Sequence, residues 1–284
     1  MSAPSVLADL PVPSPAEAAI HQRYREPVDA LGGHWNDTIA TLLDHRSVRS
    51  FQPTPLPHGT IEVLVAAAQS APSSSNIQAW SVVAVEDSSR KARLSALAGH
   101  QRQIEEAPLL LVWVADLARH TAIASARGLA LEGADYTEAF LLATVDAALA
   151  AQNAVVAAES LGLGTVYIGA LRNHPEAVAA ELGLPDRAYA VFGLVIGHPD
   201  PERPSSIKPR LPQQAVLHRE RYGLDGQAAA ISRHDRHSAA FRSEQSLSPQ
   251  SWSDLVVDRL RSVEALKGRH VLRHTLARLG FQLR

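Results

Sequence analysis

The sequence lacks cysteine altogether and contains very little lysine. Among its 284 residues there is no cysteine, and only three of the 27 Lys and Arg residues are lysines: Lys91, Lys208 and Lys267. The absence of cysteine excludes disulfides, thiol nucleophiles, iron–sulfur clusters and thiolate zinc sites. Redox chemistry in this chain would therefore have to come from a bound organic cofactor.

The charge balance has little excess of either sign. The chain has 27 basic and 29 acidic residues, which gives a net charge of −2. No bulk positive field is available to hold nucleic acid, so any anion site must be local. With 46% hydrophobic and 20% charged residues, the composition predicts a folded chain of one large domain or two modest ones.

Several motifs of nucleotide, metal and ester chemistry are also missing. The sequence contains no GxGxxG, GxxxxGK[ST], HExxH or GxSxG. The histidines are scattered, and His234 and His237 lie on a segment of low apolar content, which is typical of solvated surface histidines. The Ser73–Ser75 run has no histidine and acid in a recognisable relation to it. We therefore predict no metal site and no hydrolytic triad.

Neither of two candidate stretches has the pattern of a targeting or membrane segment. Residues 1–20 show no basic start and no long apolar run, so no signal peptide is expected. The most apolar long stretch, residues 136–162, contains acidic and amide side chains, Asp146 among them, that a membrane span would not carry. These features predict a cytoplasmic protein with no membrane partner.

Apolar periodicity predicts helices and strands that alternate without a regular βαβ repeat, which indicates an α+β fold. Segments 108–115 and 189–196 are apolar on both faces, so they are expected to be central strands. Residues 224–241 are predicted to be irregular and mobile. The other predicted strands are 81–85 and 165–168, and the predicted helices are two pieces within 14–44, then 58–71, 88–97, 136–161, 175–182 and a last helix or pair within 252–279.

The helix predicted for residues 136–161 is apolar around most of its circumference. Such a helix is expected to be buried on all sides. Packing against a second copy in a dimer would bury it, and so would a central position in a monomer. The dimer is the favoured interpretation.

Three separated segments carry groups that suit a phosphorylated ligand. His45–Arg49 follows a predicted helix end, which leaves arginine forks and amides available for a phosphate. Ser73–Gln78 groups hydroxyls and amides that can bond a polyol or a heterocycle edge. Lys208–Arg210 places two cations around a rigid proline. Each alone is more commonly a solvated turn, but together they indicate a locally positive pocket.

A fourth segment, Thr165–Asn173, has small residues after a predicted strand, which lets a flat ligand approach the backbone closely. Taken by itself it is an ordinary strand-to-helix turn.

These segments resemble the FMN-dependent nitroreductase superfamily, and within it the NADPH-dependent, oxygen-insensitive nitroreductase and flavin reductase branch. The similarity extends from Trp35 to Phe281 and leaves the first 34 residues outside. The matching runs are HRSVRSF (45–51), SSS (73–75) leading to Gln78, GHQ (99–101), the stretch 146–173, FGLVIGHP (192–199), KPRLP (208–212), VLHRERY (216–222) and WSD (252–254).

The resemblance implies a nitroreductase-like α+β fold with a central mixed sheet flanked by helices, and an intertwined homodimer with FMN at the subunit interface. It implies ping-pong chemistry in which NADPH, rather than NADH, reduces FMN at N5 and leaves. A nitroaromatic, quinone or flavin acceptor then takes the hydride. One domain is expected over residues 35–284, with an excursion, a segment that extends away from the rest of the domain, near residues 224–250. The extension before it (1–34) is expected to be flexible or to wrap around the partner.

Carried over position by position, the resemblance implies a set of ligand-binding residues but no certain catalytic residue. A fixed cation near the FMN pyrimidine would stabilise the negative charge of the reduced ring. Ala170 stands where the family often has a second glycine. The implied FMN contacts are His45, Arg46 and Ser47 at the phosphate and ribityl side, Arg49 near the ring and pocket mouth, Ser73, Ser74, Ser75 and Gln78 along the ribityl and ring edges, Gln101 at the pyrimidine, Tyr167, Ile168, Gly169 and Ala170 beside the ring, and Lys208 and Arg210 at the pyrimidine oxygen and the phosphate; the implied NADPH or substrate contacts are Arg49, Arg233, Arg236 and Arg242.

Two alternative functions stay open at this point. One is a flavoenzyme of the same fold with a dedicated substrate, such as an enone reductase or a tailoring oxidase or dehydrogenase. The N-terminal extension and Ala170 leave room for it. The other is an FMN-binding module without turnover, against which the arginines of residues 233–242 count.

Overall fold

The structure is a computed structural model, and it describes residues 13–28 and 34–284. The strands are β1 (Trp80–Val85), β2 (Leu109–Asp116), β3 (Gly164–Ile168) and β4 (Ala188–Gly197). The helices are α1 (Pro15–Tyr24), α2 (Asp37–Asp44), α3 (Thr60–Gln69), α4 (Ser88–Leu97), α5 (Arg102–Glu106), α6 (Ala118–Ala126), α7 (Thr137–Ser160), α8 (Pro175–Leu182), α9 (Gln227–Glu244), α10 (Trp252–Leu260) and α11 (Leu272–Arg278).

Most predicted elements are confirmed, but the prediction of an irregular segment over residues 224–241 is wrong. Helix α9 occupies this region and is 18 residues long. Its sequence signal is weak because only Ala230, His234 and Phe241 are buried. Spacings of four and seven residues put all three on one face of a helix. One of them is a histidine, so the apolar stripe is hard to recognise.

The chain forms two compact units. The first consists of the described part of residues 1–45 together with Ile207–Val256, and it contains α1, α2 and α9. The second consists of Arg46–Ser206 and Val257–Arg284, and it contains the sheet.

The sheet of the second unit has the strand order β1-β2-β4-β3, with β2 and β4 at its centre as predicted. Each neighbouring pair of strands is antiparallel. The predicted mixed character is limited, among the described residues, to one parallel bridge between Ser47 and Thr165.

Both faces of the sheet are covered, which explains the two-sided apolar pattern of β2. Leu109, Leu111 and Trp113 pack on one side with α3 and α7. Leu110 and Val112 point to the other side and pack with α4, α5 and α8. Successive side chains of a strand alternate between faces, so a strand between two layers must be apolar throughout.

Helix α7 is buried on one face only within this chain. Ala143, Ala147 and Ala150 are fully buried, whereas Leu141 and Val145 are 54% and 46% exposed. The expectation that α7 is buried on all sides is therefore wrong for the chain by itself. By length and composition α7 is also the one described helix that could cross a membrane, but its buried face packs on the sheet.

A close contact at the start of β3 gives a first testable prediction. A Cβ added at Gly164 would lie 2.7 Å from Cγ2 and 2.8 Å from Cβ of Val48, whose side chain is buried. Since a valine cannot rotate its Cβ away, we expect Gly164→Ala to lower the free energy of unfolding by about 1–3 kcal/mol. Urea unfolding checks this, with Gly133→Ala as the control because no atom lies within 4 Å of its Cβ position. Equal stability of the two variants would contradict the prediction.

Candidate functional site

The segment after the unit boundary, Arg46–Phe51, lies along the outer side of β3. Ser47 bridges Thr165, and the Val48 N–H donates to the Thr165 carbonyl at 2.9 Å. Val48 is buried and Arg49 is exposed, because alternate residues of an extended segment face opposite sides. The predicted residues Arg46, Ser47 and Arg49 are thereby held at the strand that leads into Tyr167–Ala170.

The end of β3 brings the next group of predicted residues together. Tyr167 packs edge-to-face on Phe192 with ring centroids 5.0 Å apart. Burial, reinforced by the Glu159 carboxylate, raises the pKa of Tyr167 well above its ordinary value, so its hydroxyl stays protonated. Gly169 faces the Arg172 guanidinium, which would lie 3.2 Å from an added Cβ.

The predicted loop Ser73–Gln78 has an unusual backbone. Ser75, Asn76 and Gln78 all adopt left-handed conformations, with φ of 49°, 55° and 52°. Such values are unfavourable for residues other than glycine and persist only where other contacts impose them. One of the contacts that impose these conformations lies within the loop itself: the Gln78 N–H donates to Ser73 Oγ at 3.1 Å. The side chains of Ser74, Ser75 and Gln78 are exposed and available to a ligand.

The residue that holds this loop is Asp146 of α7, which is only 2% exposed. Its Oδ1 accepts the N–H of Ser74 and its Oδ2 accepts the N–H of Ala79, each at 3.1 Å. One carboxylate therefore fixes both ends of the loop. Sequence reasoning missed this role, although an acidic residue within an apolar helix is itself a signal, because a buried charge needs partners.

Gln101 is placed differently from the other predicted residues of the second unit. It directly precedes α5 and is half-buried. Its Oε1 accepts a hydrogen bond from Gln103 at 2.7 Å. This hydrogen bond uses only the oxygen of the Gln101 side-chain amide and does not involve its Nε2.

In the first unit, three predicted residues are joined by a residue that was not predicted. Arg23 of α1 donates through Nη1 to the Lys208 carbonyl at 3.0 Å and through Nη2 to the His45 carbonyl at 2.6 Å. The Arg210 N–H donates to the carbonyl of Arg23 at 2.9 Å. The structure thus brings His45, Lys208 and Arg210 into one hydrogen-bonded group, with the side chains of Lys208 and Arg210 exposed.

Helix α9 carries the three arginines predicted for NADPH or substrate. Arg233 already donates to the Glu26 carboxylate at 3.1 Å and to Gln214 Oε1 at 3.0 Å. Arg236 and Arg242 donate to backbone carbonyls near them in sequence, at 3.2 and 2.9 Å. Arg236 is exposed, and Arg242 is half-buried.

The prediction of solvated histidines on this helix is wrong for His234, which is 3% exposed. It packs against Trp252 with ring centroids 5.6 Å apart and bonds the backbone of Arg210. Burial lowers the pKa of His234 below its ordinary value, against the opposing charge of Asp235. The buried His234 side chain is therefore neutral, and its hydrogen bond to the Arg210 backbone helps to hold the Lys208–Arg210 segment in place. No group of three potential metal ligands occurs among the residues that the structure describes.

A cavity of about 360 Å³ lies elsewhere in the second unit, between the start of α8 and the C-terminal helices. None of the predicted ligand-binding residues lines it. Its arginines already serve protein acceptors: Arg172 donates to a carbonyl of β4 at 2.6 Å, Arg269 to Asn173 at 2.9 Å, and Arg278 pairs with Glu176. This cavity is therefore not the one to which the sequence predictions refer.

Comparison with known proteins identifies the class to which this fold and these residues belong. The family model described as "Nitroreductase family" matches residues 42–198, and the model described as "Nitroreductase family, C-terminal domain" matches residues 208–284. The chain belongs to the nitroreductase family.

Similar proteins place the chain within one branch of that family. It is 40% identical over 228 residues to FMN reductase (NADPH) of Bacillus subtilis, covering 78% of this chain and 91% of the relative. It is 38% identical over 220 residues to the oxygen-insensitive NADPH nitroreductase of Salmonella typhimurium, covering 76% and 88%. The structure of the NADPH:FMN oxidoreductase from Vibrio harveyi complexed with NAD+ superimposes with a TM-score of 0.78 at 36% identity, covering 88% of this chain and 100% of that chain. These names do not favour either alternative function.

Proposed function

We propose that this chain is an FMN-dependent NADPH oxidoreductase that reduces nitroaromatic, quinone or flavin acceptors. The observation that carries the proposal is the bridge between Ser47 and Thr165. It holds the arginine-bearing segment Arg46–Arg49 along the strand that ends in Tyr167–Ala170. Arginine forks beside a strand end with small residues suit a flat ligand that carries a phosphate. When bound, FMN supplies the relay by which hydride passes from NADPH to the acceptor.

The donor chemistry of the described residues fits FMN. In the second unit, we propose that Arg46 and Ser47 bind the phosphate and ribityl side, and that Tyr167–Ala170 lie beside the ring. In the first unit, we propose that His45 and Arg210 contribute to the phosphate and Lys208 to the pyrimidine oxygen. The range Tyr167–Ala170 includes Ile168 and Gly169, and the remaining proposed FMN contacts are Arg49, Ser73, Ser74, Ser75, Gln78 and Gln101.

The proposed role of these residues is placement and charge rather than proton transfer. A cation fixed beside the pyrimidine lowers the energy of the negative charge that reduction places there. For the 2′-phosphate of NADPH, Arg236 and Arg242 are the better candidates, with Arg49 at the pocket mouth. Arg233 is less available, because the Glu26 carboxylate already pairs with it.

We also propose that the protein is a homodimer, intertwined through α7. Leu141, Val145 and Leu149 are 54%, 46% and 41% exposed and lie four residues apart, so they form one apolar stripe along the helix. A contiguous apolar surface of this kind is typical of a protein interface. A second copy of α7 matches it by composition, and dimers with two-fold symmetry are the commonest oligomers.

The proposed organisation is one FMN-binding domain over residues 35–284, preceded by an extension. The proposed partners are the second subunit and a small-molecule acceptor, without nucleic acid or membrane. The cytoplasm is the proposed location, because NADPH is a reductant of the cell interior.

The direct test is the visible absorption spectrum of the purified protein, recorded before and after NADPH is added without oxygen. We expect a flavin spectrum that bleaches with NADPH and returns when a quinone or nitroaromatic acceptor is added. A bound flavin that neither NADPH nor NADH reduces would contradict the enzymatic function. Failure to take up added FMN would contradict the proposed site.

Removing the exposed cations of the first unit gives a second testable prediction. We expect Lys208→Ala and Arg210→Ala to weaken FMN binding about 10- to 100-fold, since each would lose a charge-assisted hydrogen bond. Quenching of FMN fluorescence on titration with protein measures the Kd. Arg127→Ala, which removes an exposed arginine at the end of α6, should bind FMN as the wild type does. Unchanged Kd values in both variants would mean that this part of the site is wrongly assigned.

A further inference from the structure

Helix α1 lies in the N-terminal extension, outside the residues that the two family models match. The Vibrio harveyi structure is covered completely by a match that spans 88% of this chain. The family models therefore assign no role to α1.

The local sequence forms α1 for clear physical reasons. Ser14 and Glu17 form a reciprocal capping box, Pro15 occupies the first helical turn, and Arg25 ends the helix in a left-handed conformation. These are strong start and stop signals. They fix where the helix ends and thereby where Arg23 points.

Arg23 is the buried cation of this helix, at 5% exposure. Its guanidinium donates to three carbonyls: Lys208 at 3.0 Å through Nη1, and Leu43 at 2.7 Å and His45 at 2.6 Å through Nη2. Its own carbonyl accepts the Arg210 N–H at 2.9 Å. A buried guanidinium is stable only when it is hydrogen-bonded in this way. The Arg23 guanidinium and the three carbonyls that it bonds therefore constrain one another's positions.

The helix end is fastened at two further points. Arg25 pairs with Glu244, with 2.7 Å between Nη2 and Oε2, and lies over the Phe241 ring at 5.6 Å. Glu26 pairs with Arg233 at 3.1 Å. Both contacts join α1 to α9 within the first unit, and neither involves His45, Lys208 or Arg210.

We propose that Arg23 is a positioning residue that fixes the spacing between the His45 backbone and the Lys208–Arg210 segment, and so sets the geometry of the cations that bind FMN. This inference rests on the proposed function. The extension then acts as a structural part of the cofactor site.

The shape of the side chain is essential to this role. A guanidinium presents several N–H groups in a rigid planar fork, whereas an ammonium is a single point of donation on a flexible stem. Lysine at this position would keep the charge but could not serve carbonyls on both segments with the same geometry. A role in charge alone would be satisfied by lysine, and a role in positioning would not.

The test compares FMN binding by the wild type, Arg23→Lys, Arg23→Gln and the control Arg25→Gln in the full chain. We expect Arg23→Lys to raise the Kd for FMN at least about tenfold, the effect of losing one or two hydrogen bonds from a charged donor. Arg23→Gln should raise it at least as much. Arg25→Gln removes a neighbouring cation, at the C-cap of α1, that bonds α9 instead, and it should leave the Kd within about twofold of the wild type.

A second readout uses the wild type and does not depend on how well the variants fold. If Arg23 couples α1 to the FMN cations, adding FMN must slow amide hydrogen exchange in Pro15–Tyr24, because linkage is reciprocal. Wild-type FMN affinity in Arg23→Lys, or exchange in α1 that FMN leaves unchanged, would overturn the proposal. Absence of FMN binding by the wild type would instead overturn the proposed function.

Discussion

Replacing Asp146 with alanine is expected to lower the free energy of unfolding by about 3–4 kcal/mol. The carboxylate is buried and accepts the N–H groups of Ser74 and Ala79 at 3.1 Å. Its removal leaves two backbone donors without their partner, and each unsatisfied donor costs about 1–3 kcal/mol. It also releases the loop that carries Ser73–Gln78, so FMN binding should weaken together with stability.

Urea unfolding of the FMN-free protein separates these two effects, because it measures stability without the ligand. Asp146→Asn is the matched control: it keeps the size of the side chain and one carbonyl acceptor, so we expect about half of the loss. A free energy of unfolding within about 0.5 kcal/mol of the wild type, the usual range for surface changes, would show that the loop does not depend on Asp146.

The second large effect is expected from Val145→Glu on α7. Val145 lies between Leu141 and Leu149 in the exposed apolar stripe. In a dimer that packs two such stripes together, a carboxylate at the centre would be buried without a partner. We expect the Kd of the dimer to rise at least about 100-fold, so that the variant is a monomer at micromolar concentration.

Size-exclusion chromatography with light scattering measures the change, and the FMN content of each peak reports the site. Ile123→Glu is the control, because Ile123 is 50% exposed on α6 and lies outside the stripe. We expect it to stay dimeric with full FMN content. A wild type that is already monomeric with FMN bound, or a dimeric Val145→Glu, would contradict the proposed interface.

Elements whose sequence pattern reflects their surroundings directly could be predicted. Residues 108–115 are apolar at every position because β2 lies between two layers, and that pattern indicates a central strand without further information. Helix α4 begins and ends at the predicted residues. Its start is set by the Asp87 cap, whose side chain accepts the Arg90 N–H, which is a local signal.

The positions of side chains that depend on partners distant in sequence could not be predicted. The polar neighbours of His234 predict a position at the surface, yet the side chain is buried and contacts Trp252 and the backbone of Arg210. Arg23 bonds the carbonyl of Lys208, 185 positions away. Such contacts follow no helical or strand period, so the sequence near Arg23 gives no sign of them. The resemblance supplied the other site residues but could say nothing about an extension outside it.

The left-handed loop has a consequence for how this chain can vary through evolution. Ser75, Asn76 and Gln78 hold conformations that cost about 1–2 kcal/mol each for an ordinary L-residue. The hydrogen bonds that Asp146 accepts from Ser74 and Ala79 help to impose them. A glycine at position 75 would relieve part of that cost, and a later loss of Asp146 would then be less damaging. Substitutions at residues that share a constraint in this way do not have additive effects on the free energy of unfolding. The order in which substitutions occur at positions 75 and 146 therefore decides which of them the protein can tolerate.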